Sequence, residues 1–413
     1  VTTPPPGVYL DHAATTPMSS SALEAFVAEA SRTGNPSSLH SAGRAARRAV
    51  EESREAVAAA LGARPSEVIF TGGGTESDNL AIKGIFWGRR RTDPLRTRVL
   101  VSAVEHHAVL DPAFWLAGHA GAEIVLLPVD REGRLDLAGL RAELAEHADE
   151  VALVSLMWAN NEVGTVQPVR EAVRLAHQHG IPVHTDAAQA VGQVEVDFAA
   201  SGVDAMTVTG HKLGGPVGVG ALVARRDLPI EAVLHGGGQE RGVRSGTLDA
   251  AAIRAFATAV TEAVEQRAER AARLAALRDE LVAGVLRVAP EAVLRGPDPS
   301  AGAASTGSPA RLPGNAHFTF LGAEGDSLLY LLDSAGVQAS TGSACQAGVP
   351  QPSHVLLAMG VPETEARGAL RFSLGVTSTH ADVERLIEVL PQVVERARAA
   401  GPASPRAMTG GVV

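Results

Sequence analysis

Short apolar runs bounded by Gly, Pro or Asp recur along the first half of the chain, at 67–70, 98–104, 123–129, 151–159, 181–187, 205–209 and 218–224. Each is too short for a helix and reads as a buried strand. Between most of them, apolar residues fall at three- and four-residue spacing and predict helices over 108–120, 137–147, 168–180 and 188–200. Strands alternating with helices predict an α/β fold, a mainly parallel sheet with helices on both faces, in which chemistry gathers at the carboxyl ends of the strands. From about 249 to 288 the same spacing predicts one long helix leading into a second domain. Residues 296–314, GPDPSAGAASTGSPARLPG, carry almost no large apolar side chain and predict an exposed loop. A strand at 316–320, a helix at 326–334 and a strand at 336–340 follow, and the segment after about 401 reads as a disordered tail.

With 413 residues the chain exceeds the size at which one core stops growing, so two domains are expected. We divide it into a large domain, 16–260, and a small domain built from 1–15 and 261–400. A net charge of -10 argues against a general nucleic-acid or anionic-membrane binder. No charge-free apolar run reaches the roughly 18 residues of a membrane span. The opening VTTPPPGVYLDHAATTP shows neither a basic nor an apolar targeting region, which predicts a cytoplasmic protein. Cys345 is the only cysteine, so it acts as a lone thiol, without internal disulfide or all-cysteine metal site. All but two of the 36 basic residues are arginine. The two lysines, Lys83 and Lys212, stand out because lysine can lose its proton and form a Schiff base, whereas arginine cannot.

Lys212 lies in VTGHKLGGPVGVGALVA, after a predicted strand and before a Gly-rich turn, with Thr209 and His211 beside it. A lysine so placed suits pyridoxal-phosphate (PLP) chemistry, in which it first holds the cofactor and then works as a base. At the preceding strand end, HTDAAQAVG offers Asp186 to keep a proton on the pyridine nitrogen and Gln189 to meet the phenolic oxygen. Asp186 serves equally well as N-cap of the helix predicted next. TGGGTESDN, after the first strand, opens a helix with backbone N–H groups suited to a phosphate, through Gly74 and Thr75, and lacks the GxGxxG spacing of dinucleotide folds. At two further strand ends, His106 is placed to stack on the ring and move protons, and Asn161 to bind a cofactor oxygen or a substrate carboxylate. Helix caps account for either residue taken alone.

The motifs LDHAATTP, GNPSSLH, TESDNLAIKG, EHHAVL, NNEVGTVQP, HTDAAQAVG, TGHKLGGPVGVGAL, HGGGQERGVRSGT, STGSAC and LRFSLG follow one another over about residues 8–378. In this order they resemble the cysteine desulfurases of the class V aminotransferase group. The resemblance implies a fold type I PLP-dependent transferase, with a large domain of mainly parallel sheet flanked by helices, a smaller α+β domain, and a homodimer. Lys212 matches the Schiff-base lysine, Asp186 the pyridinium partner and His106 the ring-stacking acid/base. Gly74, Thr75, Asn161, Gln189, Thr209 and His211 match cofactor contacts, and Thr247 a phosphate contact made from the other subunit. Arg371 matches the clamp on the substrate carboxylate, with Asn161 beside it, and Cys345 the nucleophile that becomes a persulfide. Lys83 receives no role.

The resemblance further implies removal of sulfur from L-cysteine to give L-alanine, with the sulfur passed to an acceptor protein for iron-sulfur cluster assembly or tRNA thiolation. No metal, membrane or direct nucleic-acid contact is implied. Two departures stand out: Gly73-Gly74 where Gly-Ala is usual, and 346–350 in place of a Ser/Thr-rich continuation after the cysteine. The alternatives are a selenocysteine lyase or other PLP-dependent lyase of the same fold, or a non-catalytic sulfur-transfer subunit, which retention of Lys212, Asp186, His106, Arg371 and Cys345 together opposes.

Overall fold

The computed structural model describes residues 7–299, 309–342 and 351–401. Its twelve strands are β1 (Val8–Tyr9), β2 (Val68–Thr71), β3 (Arg98–Ser102), β4 (Glu123–Leu127), β5 (Val151–Ser155), β6 (Val183–Asp186), β7 (Ala205–Thr209), β8 (Gly220–Ala224), β9 (Ala292–Arg295), β10 (Asn315–Phe320), β11 (Val337–Gln338) and β12 (Ala369–Ser373). Seven form one sheet in the order β2-β8-β7-β6-β5-β3-β4. The five strands from β7 to β4 run parallel to one another, whereas β8 is antiparallel to both β7 and β2.

Alternate side chains of these strands feed two apolar layers. Phe70, Leu100 and Val154 pack on one face with helices Ser41–Ala60, Val169–His177 and Ala250–Glu265. Ile69, Val99 and Leu153 pack on the other with Gly74–Thr92 and His107–Ala120. Covering both faces explains why the strands read as continuous apolar runs rather than alternating ones. The strand order reverses between β3 and β5, the kind of switch point at which α/β sheets open a crevice.

A second core gathers Leu10 with residues between Leu274 and Ala397. Here the antiparallel sheet β12-β10-β9 packs against helices Arg267–Val288 and His380–Ala399, and β1 pairs in parallel with β11. Residues 10–16 run from this core to the carboxyl edge of the large sheet. The amide of Ser373 donates to the carbonyl of Leu10 at 2.7 Å, and that of Thr16 to the carbonyl of His211 at 3.0 Å.

Two expected helices differ. Over 188–200 only Phe198–Ser201 is helical. Gly192 takes a left-handed φ of 74° with Ala263 packed against it, and turns replace the helix. The long helix over 249–288 is two, Ala250–Glu265 and Arg267–Val288, parted at Gln266 (φ -90°, ψ 2°). Ala263 still belongs to the large core and Leu274 to the second, so the chain turns where its apolar face changes partner.

Candidate active site

Four strand ends face one crevice. β7 finishes at Thr209, and the single turn Gly210–Lys212 brings Lys212 back over the sheet. β6 finishes at Asp186, three residues after β3 the chain reaches Glu105-His106, and Asn161 lies beyond β5.

The Lys212 ammonium donates to the carbonyls of Ala13 and, at 2.6 Å, Ala14. Burial, then the positive charge of Arg371, pushes its pKa down to about 8, against the opposing pull of Asp11 and Asp186. Asp186 is 8 % exposed. Burial raises its pKa, while the Ala188 N–H, donating to Oδ1 at 2.8 Å, and the charge of Lys212 hold it down. The carboxylate therefore caps a turn but opens no helix, so the capping alternative holds only in this local form.

His106 is the N-cap of His107–Ala120, and its Nδ1 accepts from the Ala108 N–H at 3.1 Å. An accepting Nδ1 puts the proton of the neutral ring on Nε2. The residue is open to water, but the low-dielectric walls of the crevice, and then Lys212, push its pKa down to about 4. It is neutral at pH 7.

The helix Gly74–Thr92 begins beside Thr209: a Cβ on Gly74 would lie 3.5 Å from the Thr209 side chain. Gly73 before it has φ 136°, a conformation glycine adopts freely, whereas Gly74, where the sequence departs from Gly-Ala, is the first helical residue and has no positive φ that requires glycine. Thr75 is exposed in the first turn, Thr209 is buried, and His211 Nδ1 lies 3.3 Å from Thr15 Oγ1. Gln189 uses Nε2 on the Ala13 carbonyl at 2.9 Å. Arg371, on β12, donates from Nη1 to the Asn161 carbonyl at 2.9 Å and from Nη2 to Asp11 Oδ1 at 2.8 Å, with Nε unpartnered. Lys212, Asp186, His106, Asn161, Gln189, Thr209, His211 and Arg371 thus lie around one crevice. Thr247 is exposed, in the loop after the turn Glu240–Gly242, and Cys345 lies outside the described residues.

Sequence reasoning missed several groups. Asp78 and Glu105 are buried carboxyls, each with one oxygen unpartnered, and burial together with Asp186 raises the pKa of both. Asp78 Oδ1 is 3.6 Å from His184 Nε2, too far for a hydrogen bond. His184 itself joins Ser155 Oγ at 2.9 Å and Thr207 Oγ1 at 3.1 Å. Asp78 sits four and seven residues before Ile82 and Ile85 on one apolar helix face, a signal that marks it as buried. Asp11 lies inside a quoted motif, but its partner is 360 positions away and invisible to local spacing.

Comparison with known proteins gives the family. The aminotransferase class-V family model matches residues 8–386. An IscS-like cysteine desulfurase of Mycobacterium tuberculosis (strain ATCC 25618 / H37Rv) is 57% identical over 396 residues, 96% of this chain and 98% of that protein. Among solved structures, a NifS-like protein superposes with TM-score 0.84 at 34% identity, over 94% of this chain and 100% of that one. SspA in complex with cysteine superposes with TM-score 0.72 at 31% identity, over 89% of this chain and 98% of that one. With a family model spanning both cores and these relatives matched nearly end to end, the chain belongs to the class-V aminotransferase family, among its cysteine desulfurases.

Proposed function

We propose that this chain is a PLP-dependent cysteine desulfurase that takes sulfur from L-cysteine onto Cys345, releases L-alanine, and hands the sulfur to an acceptor protein of iron-sulfur cluster assembly or tRNA thiolation. The observation that carries this reading is the meeting of Lys212, Asp186 and neutral His106 at the carboxyl ends of β7, β6 and β3, with Lys212 held near pKa 8. The names of the relatives and the cysteine complex of SspA support the choice of substrate.

The donor set fits the cofactor. Lys212 supplies the amine to which it attaches, Asp186 a buried carboxylate for the ring nitrogen, and the helix start at Gly74 and Thr75, with Thr209 and His211, a cradle for the phosphate. Thr247 of the partner subunit completes that cradle in a homodimer. The bound cofactor supplies an electron sink that weakens bonds at the substrate's α carbon.

The chain's own groups do the rest. Arg371, beside Asn161, binds the substrate carboxylate with donors that Asp11 leaves over. Lys212 Nζ removes the α proton, and Asp186 holds a proton on the ring nitrogen. His106 Nε2 carries the proton that must move as the substrate fragment leaves. The Cys345 thiolate forms a bond to the substrate sulfur as the carbon–sulfur bond breaks. The electron pair goes to the carbon fragment, which takes up a proton and departs as L-alanine. A thiolate is required because the neutral thiol is a poor nucleophile.

Single turnover followed by mass analysis of the Cys345 peptide tests this. The peptide gains one sulfur that a reductant removes. Cys345→Ser keeps the yellow colour and its spectral response to L-cysteine but forms alanine at only a small fraction of the wild-type rate. Full turnover by Cys345→Ser refutes the persulfide route and favours a lyase.

A further inference from the structure

Two cations face the crevice, Lys212 and Arg371, and one short segment touches both. The carbonyls of Ala13 and Ala14 accept from Lys212, while the Asp11 carboxylate takes Arg371 Nη2 at 2.8 Å. The segment is itself fixed on both sides. The Ala13 N–H donates to Ser373 Oγ at 2.9 Å, the Asp11 carbonyl accepts from the Tyr9 hydroxyl at 3.1 Å, and Gln189 holds the Ala13 carbonyl. Asp11 has therefore little freedom to move away from the guanidinium.

Its hold on Arg371 is one-sided. Oδ1 alone engages Nη2, the Asn161 carbonyl engages Nη1, and Nε keeps its proton unpartnered. A guanidinium has five N–H donors, so a substrate carboxylate still finds a free pair. It must, however, approach a cation that already has an anion beside it. Arg371 is 4 % exposed, in surroundings where like-charge repulsion is weakly screened.

We propose that Asp11 is a positioning residue for two groups at once: it orients the Arg371 guanidinium for the substrate carboxylate, and its charge sets how readily Lys212 gives up its proton. This deepens the function proposed above and rests on it. The charged and titratable groups around Lys212 are Arg371, Asp11, Asp186, His106 and His211. His106 and His211 are both neutral at pH 7, since the low-dielectric walls of the crevice, then Lys212, push each down to about 4. The ionised balance therefore lies among Lys212, Arg371, Asp11 and Asp186. Asp186 is committed to the ring nitrogen, which leaves Asp11 as the adjustable anion.

Asp11→Asn keeps an oxygen for Nη2 and removes the charge; Asp11→Glu keeps the charge and moves it. In the loaded enzyme, the pH midpoint of the visible band from the lysine-linked cofactor reads the proton affinity at Lys212. In Asp11→Asn the anion that favours the protonated form is gone, so the midpoint falls by about one pH unit. KM for L-cysteine falls as well, since repulsion of its carboxylate is relieved, while kcat at saturating substrate moves less than KM. In Asp11→Glu the midpoint stays near that of the wild type and KM rises, because the guanidinium is displaced. Either variant alone suffices: an unmoved midpoint in Asp11→Asn, or a midpoint in Asp11→Glu displaced as far as expected for Asp11→Asn, overturns the proposal. A purely packing role would move KM and stability but leave the midpoint in place. If the wild-type enzyme shows no visible band at all, the fault lies with the PLP assignment and not with Asp11.

Discussion

Arg54 and Glu240 form a nearly enclosed ion pair against the large core, and breaking it has a calculable cost. Arg54 Nη2 meets Glu240 Oε1 at 2.7 Å and Nη1 meets Oε2 at 2.8 Å, while Oε2 also accepts the Phe70 N–H at 2.8 Å. The guanidinium lies over the Phe70 ring, 4.8 Å from its centroid. Both side chains are nearly enclosed, at 11% and 3% exposure. Arg54→Met keeps the apolar stem out to the Nε position but removes the two charge-assisted hydrogen bonds to Glu240, each worth about 1.5–3 kcal/mol, with those to Glu51 and the Val68 carbonyl, and strands a buried carboxylate. The expected loss is about 3–5 kcal/mol. For a chain of this size each kcal/mol lowers the melting temperature by about 1 °C, so calorimetry at fixed scan rate should show a fall on the order of 3–6 °C. Arg54→Met with Glu240→Gln removes the stranded charge while an amide oxygen still accepts from Phe70, and it should recover more than half of the loss. A single variant within about 1 kcal/mol of wild type, or a double variant no better than the single, would refute the reasoning. Glu240 sits in the backbone turn that leads to Thr247, so the single variant should also bind PLP more weakly.

The depressed pKa of Lys212 has a direct consequence: the amine becomes available above about pH 8, so PLP capture by the cofactor-free protein, trapped with borohydride on the Lys212 peptide, should rise from pH 7 and level off well below pH 10. Capture that keeps rising through pH 10, or label on Lys83, contradicts the assignment. Gly164→Ala places a Cβ 2.6 Å from Asn315 Oδ1 at a φ of 78°. Left-handed strain and the clash should together cost about 3 kcal/mol, read as a shift in denaturant midpoint with unchanged slope. Thr247→Val should weaken PLP binding in the dimer, and sedimentation should find the loaded, active enzyme dimeric; a fully loaded and active monomer removes Thr247 from the phosphate site.

Much of the large sheet was legible because every strand but the edge strand β4 is covered on both faces, which concentrates Val, Ile, Leu and Ala into short bounded runs. The predicted ends overran at 103–104, 156–159 and 187, where the chain leaves the sheet but stays largely buried to build the crevice, and at 128–129, where it is more exposed. Apolar content reports burial, not hydrogen bonding, so those residues looked like strand. The misread helix at 188–200 shows the converse: an alanine-rich stretch was held in turns by its packing at Gly192. Lys212, Asp186 and His106 were legible because each closes a strand run with a reactive side chain. Asp11, Asp78 and Glu105 were not, since their roles depend on neighbours from distant segments. Sequence spacing carries periodicity within an element and is silent on what that element meets.

The segment 10–16 also sets an order of assembly. Asp11 leaves the ribosome well before its partner Arg371, which follows 360 positions later. Among the described residues the large core draws on nothing beyond Val264 except Leu312, so it can form while the rest of the chain is still being made. During that interval Lys212 is present, but Arg371 and the second core are not. A nascent chain can thus acquire its sheet and its reactive amine before it can hold a substrate carboxylate, and closing so long a loop is a late, slow event. Chains stalled before residue 371 would contain a folded sheet with an unfinished crevice, which pulse proteolysis of ribosome-bound intermediates could detect.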